Sequence, residues 1–147
     1  MSEWRETTLP EASLMLLSAY GWQSADNVPG ADPIIALARE RGDSVDVLYR
    51  DDEMPPCDLV MQFINAQIPP RSEQMLVVNM SAMFIRSVAF TGPSDAFDDF
   101  VAHYEKEFSR PFYDYMDLIL LWLSRGVSLI IHHEGLIALC RPAAAPK

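Results

Sequence analysis

The chain has 147 residues, half of them hydrophobic, which is enough apolar material for one core and too little length for two full domains. Its net charge of −10 disfavours nucleic acid and anionic membrane as partners, because phosphate binding needs Lys and Arg to release counterions. An aromatic content of 10% separates it from disordered acidic chains.

Thr8-Leu9-Pro10-Glu11 has the Thr-x-x-Glu spacing of a capping box, and Gly21 is placed to end the helix it opens. Asp32-Pro33 opens a second, short helix through Ile34, Ile35, Leu37 and Ala38, which Gly42 closes. Val45 to Arg50 is β-branched at Val45 and Val47 and reads as a strand entering an Asp51-Asp52 turn. Cys57 to Gln67, set between Pro55-Pro56 and Pro69-Pro70, reads as a helix, and Met75 to Val78 as a strand.

Met83 to Phe90 fits two periods. Phe84, Arg86, Val88 and Phe90 alternate, whereas Phe84, Ile85, Val88 and Ala89 suit a helix. A strand is expected, since Thr91-Gly92-Pro93 then turns into the next helix. That helix has Ser94 as N-cap, Asp95, Asp98 and Asp99 near its positive end, and an apolar face of Phe97, Phe100, Val101, Tyr104 and Phe108. A further helix is expected from near Pro111 to Gly126, apolar nearly all round through Leu118 to Leu123, with Asp114, Asp117, Ser124 and Arg125 as its polar stripe.

Val127 to His133 and Leu136 to Cys140 read as a hairpin around Glu134-Gly135. With a two-residue turn, Leu129, Ile131, Leu136 and Ala138 share one face, and Ile130, Ile137 and Leu139 the other. Cys140 then belongs to a core under the Leu118-to-Leu123 helix. The expected fold is α+β: one domain over residues 1–147, with four to five helices on a small, mostly antiparallel sheet ending in a C-terminal hairpin.

His132-His133-Glu134 is the most chemical-looking triplet. Successive strand residues point to opposite faces, so the two histidines are not expected to serve one metal or one catalytic step. His103 lies four residues from Asp99 and from Glu107, as in a surface ion-pair ladder. Asp114 and Asp117 are candidates for paired carboxylates. Gly-x-Ser-x-Gly, Cys-x-x-Cys, His-Glu-x-x-His and a phosphate-binding glycine loop are all missing. No cofactor or metal is expected. Cys57 and Cys140 read as buried free thiols. The start, Met1-Ser2-Glu3-Trp4-Arg5, does not look like a secretory signal, and Leu118 to Leu123 is far short of the roughly 20 residues that span a bilayer. A cytoplasmic location is expected.

The acidic residues are clustered. Asp46, Asp51, Asp52, Glu53 and Asp58 face only Arg50, and a second set runs from Asp95 to Asp117. Interleaved with aromatics, these stretches have interface composition and the charge to steer a basic protein. The residues expected to bind that partner are Tyr49, Asp51, Asp52, Glu53, Asp98, Asp99, Tyr113, Asp114 and Asp117. The leading expectation is a bacterial immunity or antitoxin-type inhibitor masking a basic toxin such as a nuclease, as monomer or homodimer. The alternatives are a secretion-type chaperone or adaptor and, from another class, a small enzyme or ligand-binding domain using His103, Asp114 and Asp117.

Overall fold

The computed structural model describes residues 3–20, 31–51, 53 and 55–142. Among them, helices α1 (Leu9–Tyr20), α2 (Ala31–Glu40), α3 (Cys57–Gln67), α4 (Met80–Arg86) and α5 (Phe97–Phe108) surround one antiparallel sheet. Its strands are β1 (Arg5–Thr7), β2 (Ser44–Arg50), β3 (Gln74–Asn79), β4 (Ala89–Pro93), β5 (Leu118–Trp122), β6 (Val127–His132) and β7 (Leu136–Arg141), in the order β1-β4-β3-β5-β6-β7-β2. The fold is α+β, as expected, with a larger sheet than expected. No described helix is long and apolar enough to cross a membrane.

Alternation along the strands feeds two cores. Met75 and Val77 of β3, Leu118, Leu120 and Trp122 of β5, Leu129 and Ile131 of β6, and Ile137 and Leu139 of β7 pack with Val60 and Ile64 of α3 and Phe97, Phe100 and Tyr104 of α5. The intervening Leu76, Val78, Ile119, Leu121, Ile130 and Cys140 pack under Ala12 and Leu16 of α1 and Ala31, Ile34, Ile35 and Ala38 of α2. Helices therefore cover both faces of the sheet.

The two-sided cover explains the largest correction. Leu118 to Leu123 is not a helix: Leu118–Trp122 is the central strand, paired with β3 and β6, and every residue in it is buried. A strand buried on both faces has no polar alternation, so its apolar run imitates a buried helix. Gly126 ends no helix; it sits at φ 66 in the β5–β6 turn, where its N–H reaches the Trp122 carbonyl. Residues 83–90 also differ from expectation, forming the end of α4, a left-handed Ser87 and the start of β4. Ser94 is no side-chain cap; its hydroxyl instead accepts the Glu73 N–H at the far end of β3.

Elsewhere the local signals hold. Thr8 Oγ1 accepts the Glu11 N–H at 3.3 Å at the start of α1. Cys57–Gln67 is helical over the expected span, whereas Gly21 and Asp52 lie outside the described residues. Both cysteines are free, Cys140 buried and Cys57 half-buried.

Candidate functional site

The C-terminal hairpin is real but has a three-residue turn. His132 opposes Leu136 and Ile131 opposes Ile137, one step away from the register of a two-residue turn. Ile137 and Leu139 therefore share a face with Leu129 and Ile131, while Ala138 and Cys140 lie opposite. The slip also releases His133 from the strand, so alternation no longer separates the histidines. Gly135, at φ 96, allows the turn, and its N–H binds the His132 carbonyl at 3.1 Å.

The histidines instead stack, with ring centroids 4.5 Å apart and planes 16° from parallel. His132 points toward α2 and is only 4% exposed. Continuing the β5–β6 register past the Leu118–Ile131 pair sets Asp117 opposite His132 on that same face. The Asp117 carboxylate joins three segments. Its Oδ2 accepts the Ala31 N–H at 2.8 Å at the start of α2, and its Oδ1 accepts the His133 backbone N–H at 2.9 Å and lies 2.7 Å from His133 Nδ1. Burial pushes the Asp117 pKa up, but the Ala31 N–H, the His133 ring and backbone and the nearby His132 outweigh it, leaving a net fall. The Asp117 hydrogen bond raises the His133 pKa more than its slight burial lowers it.

His132 has its own partners. Glu134 donates its backbone N–H to Nδ1 at 2.9 Å, and Nε2 lies 3.0 Å from Asp32 Oδ1. Donor atoms of Asp117, His132 and His133 lie within 4.8 Å of one another, which is close enough to test as a metal set. They do not fit one as arranged. Imidazole lone pairs lie in the ring planes, so nearly parallel rings direct them side by side and not toward one point. His132 Nδ1 is also already engaged as an acceptor. The three residues form a hydrogen-bonded junction.

Around this junction the sheet end gathers much of the acidic surface. The Asp51 N–H binds the Gly135 carbonyl at 3.0 Å, so the chain leaving β2 lies along the β6–β7 turn. Tyr49 lies beside it, its phenol pKa raised by partial desolvation and then by Asp51 and Glu53. Tyr113 packs inside, 5.2 Å from the Tyr115 ring, and Cys57 Sγ reaches the Tyr113 carbonyl at 3.5 Å. Tyr115 is 47% exposed and has φ 57, a conformation that a bulky side chain rarely adopts. Asp114 pairs with Arg110 at 3.0 Å and accepts the Ser81 hydroxyl at 3.5 Å. Helix α4 starts here, with the Met80 N–H on the Asp117 carbonyl, and exposes Phe84 at 74% and Ile85 at 51%.

Tyr49, Asp51, Glu53, Tyr113, Asp114 and Asp117 are thus brought to one end of the sheet, with Tyr113 and Asp117 supporting it from below. Asp98 and Asp99 are not among them; they lie in the first turn of α5, which begins beside Glu73 at the opposite end. His103 pairs with Glu107 at 2.8 Å and lines a cleft of about 580 Å³ with Trp4, Phe90, Asp99 and Phe100, so it is not brought to Asp114 or Asp117. The aromatic walls of that cleft are nearly buried and pack on one another, Trp4 stacking on Phe100 at 4.2 Å. The exposed Phe84 and Ile85 were not singled out as anchors by the sequence, since apolar residues reveal their exposure only once the core is known; Tyr115 belongs to the aromatic stretch 108–115 whose composition reads as interface, and it is exposed where Tyr113 is buried. Comparison of the chain with protein-family models, curated proteins and solved structures found no match.

Proposed function

We propose that the protein binds a basic partner protein through this acidic end, as an immunity or antitoxin-type inhibitor covering the working surface of a basic toxin. One observation carries the reading: exposed Phe84, Ile85 and Tyr115 share an end of the sheet with the exposed carboxylates of Asp51, Glu53 and Glu134. Apolar and aromatic anchors supply tight contact, and surrounding charge supplies steering and register. A nuclease fits as the partner class, because a phosphate-binding surface presents the Lys and Arg that these carboxylates complement. Phe84 and Ile85 also support a second reading, a secretion-type chaperone or adaptor that holds apolar segments.

Salt separates the two. For the inhibitor, a tagged chain captures one basic protein in stoichiometric amount from native lysate. The association rate then falls about tenfold in Asp51→Lys with Glu53→Lys, and again as salt is raised. Phe84→Ala acts mainly by speeding dissociation. Capture of no stoichiometric partner, or an association rate indifferent to salt and to charge reversal, would overturn the inhibitor reading.

A further inference from the structure

The cleft of about 580 Å³ between α5 and the edge strand β1 falls within the roughly 300–1,000 Å³ typical of small-molecule sites. Helical spacing builds its floor. Phe100, Tyr104 and Phe108 recur every four residues along α5 and so form one row. Trp4 stacks on Phe100 at 4.2 Å and 18° from parallel, and Tyr104 stacks on Phe108 at 4.4 Å and 13° from parallel. Phe90 meets Tyr104 and Phe108 edge-on. The Trp4 indole N–H is fixed on the Pro93 carbonyl at 2.9 Å. The rings therefore hold one another in place, and a ligand need not order them on binding.

Aromatic faces attract cations, and this row already carries one. The Arg86 guanidinium lies 4.4 Å from the Phe108 ring centroid, at one end of the row. Toward the other end, Asp99 adjoins Phe100 in the first turn of α5 and lines the cleft. The remaining charged groups of the rim are matched. Arg5 pairs with Glu11 at 3.5 Å, Glu6 pairs with Arg86, and His103 lies 2.8 Å from Glu107. The Asp99 carboxylate is exposed and has no hydrogen-bond or ion-pair partner among the described residues. Counting the rim and its ion-pair partners, the carboxylates of Glu6, Glu11, Asp99 and Glu107 stand against the guanidinium groups of Arg5 and Arg86. The excess is negative.

We propose that this cleft binds a small organic ammonium ion, with its apolar body on the aromatic floor and its charge beside Asp99. A neutral apolar molecule gains the floor but leaves the carboxylate unanswered, and an anion meets the wrong sign at the rim. The site goes beyond the partner-binding reading and does not depend on it, because α5 begins at the end of the sheet opposite to Asp51 and Glu53.

The probe is benzylammonium, with benzyl alcohol as its neutral counterpart of similar shape and benzoate as the anion. Each is titrated into the full chain at neutral pH and low salt, and the indole N–H signals of Trp4 and Trp122 are followed by NMR. Trp122 is wholly buried and does not line the cleft, so it serves as the internal control. Benzylammonium shifts the Trp4 signal, leaves that of Trp122 in place, and saturates with a Kd of about 1 mM or tighter. Benzyl alcohol, lacking the charge, binds at least about tenfold more weakly, and benzoate more weakly still. Asp99→Asn, an exposed change that leaves the core intact, weakens benzylammonium about three- to fivefold. Asp98→Asn, in the same exposed turn but outside the cleft, leaves the affinity unchanged. Absence of a saturable Trp4 shift with benzylammonium, equal binding of benzyl alcohol, or equal effects of Asp99→Asn and Asp98→Asn overturns the assignment. Partner binding at the acidic end stands or falls on its own test.

Discussion

Asp117 shows how much one half-buried carboxylate can organise. It ties the first N–H of α2, the end of β6 and the following turn to the start of β5, so its charge acts on four elements at once. Its pKa lies below the ordinary 3.8, so its contribution to stability is present above that value and is lost as pH falls through the lowered one. The His133 pKa lies above the ordinary 6.5, so its contribution is present below that value and is lost as pH rises through the raised one. The charged pair thus stabilises most between the two ordinary values. Asp117→Asn keeps an acceptor for Ala31 and removes the charge. Urea unfolding at about pH 6 is expected to show a loss of roughly 1–3 kcal/mol, toward the lower end because His133 is half exposed. At about pH 9 the difference between the two proteins narrows. A difference independent of pH would mean that the carboxylate acts only as a hydrogen-bond acceptor.

Among the elements, α4 is short and leans on a single side chain. Asn79, 1% exposed, accepts the Ser81 and Ala82 N–H groups at 3.0 and 3.3 Å and donates to the Phe112 carbonyl at 2.7 Å. Asn79→Ala removes the cap and also strands a buried carbonyl, so chemical denaturation is expected to show a loss of about 2–4 kcal/mol. Ser81→Ala, which gives up one 3.5 Å contact with Asp114, is expected to cost less than about 1 kcal/mol. Equal costs would show that the cap contributes little. The sequence was legible where local chemistry decides: Thr8 and Glu11 at α1, and the proline pairs around α3. It misled where burial on both faces erased alternation, at Leu118–Trp122, and where a seven-residue helix was too short to establish a period, at Met80–Arg86. The candidate site divides in the same way. Tyr49, Asp51 and Glu53 are neighbours in sequence and could be read as a group. The meeting of Asp117 with His132 depends on the β5–β6 register, which remains hidden while residue 117 is assigned to a helix.

Across the whole molecule, the charge of −10 is not spread evenly. Asp95, Asp98 and Asp99 lie around the start of α5, where the helix dipole offsets part of their repulsion. The carboxylates at the opposite end face Arg50 and Arg110, and Arg110 is already paired with Asp114. The exposed ion pairs Arg5–Glu11, Arg86–Glu107 and Arg141–Asp46 contribute little each, so screening them costs little. Screening the excess of like charge gains more, since the Debye length shrinks from about 10 Å at 0.1 M salt to about 3 Å at 1 M. Sodium chloride is therefore expected to raise the melting temperature of the free protein by about 2–4 °C, corresponding to roughly 1 kcal/mol for a chain of this size. Under the proposed function, the same salt is expected to slow association with a basic partner. Opposite responses of stability and association to salt are what the proposed function predicts of such a surface. A melting temperature that falls with added salt would show instead that the ion pairs outweigh the repulsion, and that the acidic end carries no stored charge for a partner to relieve.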